Sequence, residues 1–168
     1  LVGSEMCIRD SHFVQHVNLA AANVHVPSSE IAATELARQC HDYQQQIIVE
    51  GGIDYQLLIL RSHGCIGFNE PGAPQTCHMR RVHLDTKTRE QAVPLFGDLL
   101  HVPHHAVTLG YEELLQARHI SVLAFGHKRA HAVQQVMNGA VDAEWGATWL
   151  RGHLHATLLA DQAAAAEL

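Results

Sequence analysis

The chain has 168 residues, 47% of them hydrophobic and 17% charged, with a formal net charge of -6. That is enough chain for one compact domain with a real core, and too apolar for wholesale disorder. Eleven Lys and Arg against seventeen Asp and Glu exclude the basic face that a nucleic-acid partner needs. No apolar run reaches membrane-span length and no charged-then-apolar leader is present, so a cytoplasmic address with no membrane partner is expected.

Residue 1 is Leu, not Met, and residues 1–11 carry neither a helical nor an alternating apolar pattern. They resemble translated adapter sequence and are set apart as foreign to the fold, which is assigned to 12–168. His12 to Val17 reads as the last turn or two of a helix. Asn23 to Val26, running into Pro27, reads as a strand end. Ser28 and Ser29 ahead of Glu30 and Glu35 mark a helix start, and Ile31, Ala32, Leu36, Cys40, Tyr43 and Ile47 recur at helical spacing up to Gly51-Gly52. Tyr55 to Leu60 is a nearly continuous apolar run, the pattern of a strand buried on both faces. A turn follows from Arg61 to Gly67. Further strands are expected at Met79–Leu84, His105–Leu109, Ser121–Phe125 and His155–Ala160, and helices at Glu112–Ala117 and Lys128–Met137, the latter closed by Asn138-Gly139. The stretch from Arg89 to Val102, with Pro94 and Gly97, reads as a loop or short helix, and the Ala-rich tail 161–168 as helical or frayed. Alternating strand and helix signals favour an α/β sheet, with no internal repeat and no linker. The cysteines Cys7, Cys40, Cys65 and Cys77 fit no disulfide framework and are read as free thiols.

The most specific stretch is Gly51-Gly52-Ile53-Asp54, then the apolar strand, then Gly64-Cys65-Ile66-Gly67-Phe68-Asn69-Glu70-Pro71-Gly72. A glycine-rich turn at the carboxyl end of a buried strand lets backbone approach a ligand, at the usual crevice of open α/β sheets. This stretch resembles the signature of the glucosamine-6-phosphate and galactosamine-6-phosphate deaminases, which are related to the 6-phosphogluconolactonases. Val17-Asn18 through Pro27, Leu84 to Arg89, Val102-Pro103 through Ala106 to Gly110, and Gly126 to Ala130 are similar to further segments of that family, so the resemblance covers nearly all of 12–168.

The resemblance implies a three-layer, Rossmann-like parallel sheet with helices on both faces, here lacking its amino-terminal strands, which would leave an apolar edge exposed. It implies an amino-sugar 6-phosphate as substrate, no cofactor and no metal, and a homo-oligomer for the intact protein. The implied reaction is ring opening, proton transfer between neighbouring carbons and hydrolytic loss of ammonia, giving a ketose phosphate. Glu70 matches the carboxylate that partners the family's ring-opening histidine. Arg89 and Arg129 match phosphate-contacting positions, with Lys128 taking the place of Arg129 if the alignment shifts by one residue. Arg80 falls where regulated members carry an effector-binding arginine.

The sequence departs from the pattern where the chemistry is densest. Cys65 stands at the family's ring-opening histidine and His63 at the Asp/Asn two residues earlier, while Ile59 and Arg61 replace glycines. An arginine at 61 is expected to crowd the backbone and to require a positive φ. The family's first phosphate loop and its carbon-to-carbon proton-transfer base have no counterpart in this chain, so the fragment is expected to be inactive. Two rival readings follow from the residues: a non-catalytic relative that binds sugar phosphate or assembles with active subunits, and a metal-binding module using His63, Cys65, Cys77 and His78, or His101, His104 and His105.

Overall fold

The computed structural model describes residues 10–27 and 34–168. The expected adapter-like segment and the expected helix start at 28–33 lie almost wholly outside the described residues. Residues 10–12 are helical, and 3-10 turns follow at Val14–His16 and Ala21–Asn23. The strand expected at Asn23–Val26 does not form. Val24 is extended, but no described strand pairs with the segment. Instead Tyr43 donates to the His25 carbonyl at 3.4 Å, and the Gln46 amide meets His25 Nδ1 at 2.8 Å.

Helix α1 (Leu36–Val49) ends where Gly51 and Gly52 take φ values of 93° and 89° and return their N–H groups to Ile48 and Ile47. Side chains would resist that backbone, which explains the stop at the Gly-Gly pair. Strand β1 (Tyr55–Ile59) follows, then β2 (Arg80–His83), helix α2 (Thr86–Phe96) and a 3-10 turn at Leu99–His101. After β3 (His105–Thr108) come α3 (Tyr111–Leu115), β4 (His119–Ala124), a 3-10 turn at His127–Arg129 and α4 (Ala130–Asn138). A longer 3-10 segment, Gly146–Gly152, precedes β5 (Ala156–Ala160), and the tail from Asp161 is a run of turns.

The main sheet is parallel in the order β1-β4-β5, with Leu57 opposite Ser121 and Ser121 opposite Thr157. β2 and β3 do not join it; they pair with each other as an antiparallel ribbon, Val82 opposite Ala106. One face of the sheet, with Leu58, Ile120, Val122 and Ala124, is packed by Ala132, Val133 and Val136 of α4 and by Ala147 and Leu150. Tyr111, Leu114, Ile66 and Leu60 extend this core under the turn that follows β1.

The opposite face is open. Tyr55, Leu57 and Ile59 are 61%, 56% and 63% exposed, and Leu159 on β5 is 49% exposed. The continuous apolar run at 55–60 therefore does not mark a strand buried on both faces among the described residues: β1 is a sheet edge covered on one side. The expected exposed apolar surface is present there. No described helix is long and apolar enough to cross a membrane.

Candidate functional site

The chain leaves β1 at Leu60 and turns at once. Arg61 N–H bonds the Cys65 carbonyl, and Gly64 N–H bonds the Arg61 carbonyl, both at 3.0 Å. Gly64 and Gly67 have φ of 71° and 61°, and no described non-glycine residue has a positive φ. The positive φ expected at Arg61 is thus not needed. The glycines take the left-handed positions, and Arg61 sits in an ordinary backbone conformation. Behind the turn, a Cβ on Gly64 would fall 2.2 Å from the Trp145 ring, and Ala147 N–H bonds the Gly64 carbonyl.

Asn69 anchors the far end of the turn. It is fully buried, and its amide donates to the Ile66 carbonyl at 3.2 Å and the Leu109 carbonyl at 2.9 Å. Its Oδ1 accepts from Arg80 Nη1 at 3.0 Å and from the Cys77 thiol at 3.6 Å. Every polar atom of this buried side chain is thereby satisfied. Arg80, carried over from the family as an effector contact, also bonds the His78 carbonyl and so holds the turn to β2.

Glu70 follows directly, with its side chain 19% exposed. Its carboxylate accepts from the Thr88 hydroxyl at 3.2 Å and lies 3.5 Å from the Asp85 N–H. Both donors belong to the start of α2, where Asp85 is the N-cap and accepts the Thr88 N–H at 2.5 Å. Burial pushes the Asp85 carboxyl up, but the Thr88 N–H and hydroxyl, with His63 and Arg61, outweigh it and hold it below its ordinary range.

His63 Nε2 is 3.6 Å from Glu70 and accepts from Arg61 Nε at 3.3 Å. Burial, and then the Arg61 cation, hold the imidazole below its ordinary pKa against the pull of Glu70 and Asp85. A ring that accepts at Nε2 is neutral with its proton on Nδ1, so His63 and Glu70 are neighbours and not an ion pair. His63 Nδ1 is buried without a partner. Arg61 also donates to the Thr88 hydroxyl at 2.7 Å and lies 5.3 Å from the centroid of the Phe68 ring.

Cys65 is fully buried beside Tyr111, and burial pushes its thiol up to about 11. Such a thiol is neither a nucleophile nor an acid–base group near neutrality. Arg129 reaches the Leu60 carbonyl at 3.5 Å and the Phe125 carbonyl at 3.1 Å, and its charge is felt at Arg61. Arg89 commits Nη2 to the carbonyls of Leu99 and Val102, tying α2 to the turn that follows it. Lys128 is exposed on the 3-10 turn. The structure therefore joins His63, Glu70 and Arg61, with Arg129 at the same strand end, and gives Arg89 a structural bond. Thr88, Asp85 and Lys87, which acts on His63, were legible only as part of a resembling segment. An Asp-x-x-Thr step opening a helix was the available signal.

The proposed metal groups do not assemble. Cys77 meets Asn69 and the Tyr111 N–H, and His78 meets Glu113 at 2.7 Å. Among the described residues no three His, Cys, Asp or Glu side chains are gathered to hold a metal ion, and Cys40, Cys65 and Cys77 are free thiols.

No protein-family model matches the chain. It is 40% identical over 156 residues to the glucosamine-6-phosphate deaminase of Pseudarthrobacter chlorophenolicus, a match covering 93% of this chain and 60% of that protein. The chain is a relative of the glucosamine-6-phosphate deaminases. A monomeric glucosamine-6-phosphate deaminase of solved structure superposes with a TM-score of 0.91 at 29% identity, over 95% of this chain and 66% of that one. The 6-phosphogluconolactonase of Trypanosoma brucei shares the fold at a TM-score of 0.62 and 22% identity, over 85% of this chain and 57% of that one. The chain thus spans about 60% of the length of the curated deaminase it matches.

Proposed function

We propose that this protein binds an amino-sugar 6-phosphate in the crevice between the 61–70 turn and the start of α2. In the intact protein the site would serve conversion to a ketose 6-phosphate with release of ammonium. The observation that carries the reading is Glu70. Its carboxylate accepts from the Thr88 hydroxyl, and the residue before it, Asn69, anchors the turn to the Leu109 carbonyl, in a chain related to glucosamine-6-phosphate deaminases. A carboxylate held this way can take or return a proton on a ligand hydroxyl within hydrogen-bond reach. Arg129, with Lys128 and Arg89 as further basic groups, is proposed to meet the phosphate.

A second reading, binding without turnover, is favoured by Cys65 and His63. The thiol is buried and protonated, and the imidazole is neutral and engaged by Arg61, so neither is free to open a sugar ring. A cytoplasmic role in amino-sugar catabolism belongs to the same proposal. So does a homo-oligomer, although the relative of TM-score 0.91 is described as monomeric. Calorimetry with glucosamine 6-phosphate, run beside an ammonium-release assay, tests both readings. Binding with ammonium release supports the first, and binding alone supports the second. Absence of binding rejects both.

A further inference from the structure

The Arg61 side chain stands where the deaminase pattern has a glycine, and its contacts are with His63, Thr88 and Phe68 at the candidate site. Nε–H faces His63 Nε2 at 3.3 Å, and an Nη2 hydrogen faces the Thr88 hydroxyl at 2.7 Å. That hydroxyl in turn donates to Glu70 at 3.2 Å. Phe68 lies 5.3 Å from the guanidinium carbon, and Glu70 is the strongest charge acting on the cation. The side chain is half-buried, so it has a way out to solvent.

We propose that Arg61 is a built-in competitor for the ligand. Its guanidinium occupies the corner between His63, Thr88 and Glu70 and must leave before a sugar phosphate can reach the carboxylate. This rests on the sugar-phosphate reading of the site and adds a self-blocking contact to it. The apparent affinity is the intrinsic affinity multiplied by the fraction of molecules in which the corner is open. The geometry also makes Arg61 the donor that keeps His63 neutral at Nε2, a state that can be read without any ligand.

The test compares the wild-type chain with Arg61→Ala and Arg61→Lys. The lysine variant keeps the charge and loses the planar fork, and it stands in if the alanine variant does not fold. Calorimetry with glucosamine 6-phosphate is expected to show binding tightened about tenfold or more in Arg61→Ala, with a smaller gain in Arg61→Lys. NMR titration of the His63 ring, which faces Arg61, Glu70, Asp85 and Lys87, is expected to move toward its ordinary pKa in Arg61→Ala. Weaker binding in Arg61→Ala would make Arg61 a ligand contact and overturn the proposal, as would unchanged affinity. Absence of binding in every variant, with the His63 shift still present, would reject the sugar-phosphate reading while leaving the contact between Arg61 and His63 intact. An unmoved His63 would remove that contact as well.

Discussion

Replacing Asn69 by leucine tests whether the turn is held by its one buried amide. Leucine is close in size, so the change removes hydrogen bonds and leaves little cavity. Four partners are affected: the Ile66 and Leu109 carbonyls lose a donor, and Arg80 and the weakly donating Cys77 thiol lose an acceptor. All but the thiol S–H, a weak donor, keep another partner. Ile66 keeps the Asn69 N–H at 3.4 Å, Leu109 keeps the Thr108 hydroxyl at 3.1 Å, and Arg80 keeps the His78 carbonyl. The cost is therefore about 1 kcal/mol for each of the three bonds to Ile66, Leu109 and Arg80, or about 3 kcal/mol in total, and not the larger penalty for stranded groups. For a chain of this size, about 3 kcal/mol lowers Tm by roughly 6–12 °C. Thermal unfolding followed by circular dichroism measures it, with ligand affinity as the second readout because Glu70 is the next residue. A Tm within 2 °C of wild type would refute the idea that Asn69 fixes the turn.

Cys65, with its thiol pushed up to about 11, is expected to react with iodoacetamide far more slowly than an unfolded control, and peptide mapping of the labelled protein checks this. Burial and Arg61 depress His63 below its unfolded value, so its contribution to stability is complete above about pH 6.5 and is lost as pH falls through the folded value. Denaturant midpoints from pH 7.5 down to 5 should fall, and less so in Arg61→Ala; equal slopes would remove His63 as the cause. Leu57→Thr on the open sheet face should reduce light scattering and dye binding with a stability change within about 0.5 kcal/mol. Unchanged scattering would clear that face of any part in association.

What the sequence made readable was local. β1, β4 and β5 fall within a residue or two of the expected strands, and α1 stops at the glycine pair that marked its end. α2 was obscured because Pro94 sits inside it. Pro94 lies in the last turn, where it forfeits one bond to the Glu90 carbonyl but leaves the bonds of the earlier turns intact, so the Asp85 cap was the better guide. Pairing was not readable either: Met79–Leu84 and His105–Leu109 look like sheet strands, yet among the described residues they pair only with each other. In the site, Glu70 was legible from its motif. The tasks of Arg89 and Arg80 were not, because their partners are backbone carbonyls and a buried amide that no spacing reveals.

The two glycines at 64 and 67 carry a consequence for how such a site changes over generations. Gly64 is pressed against Trp145, and a Cβ on Gly67 would fall 2.8 Å from the Thr108 hydroxyl, so the path of the turn is written in these two positions. Ile59, Arg61, His63 and Cys65 hang from that path without bending it, since none of them takes a positive φ. Side chains at 59, 61 and 63, none of them fully buried, can be exchanged one at a time while the backbone stays where it was, whereas the buried Cys65 has less freedom. The chemistry presented at the strand end is therefore separable from the shape that presents it, and a lineage can alter or lose the first without losing the second.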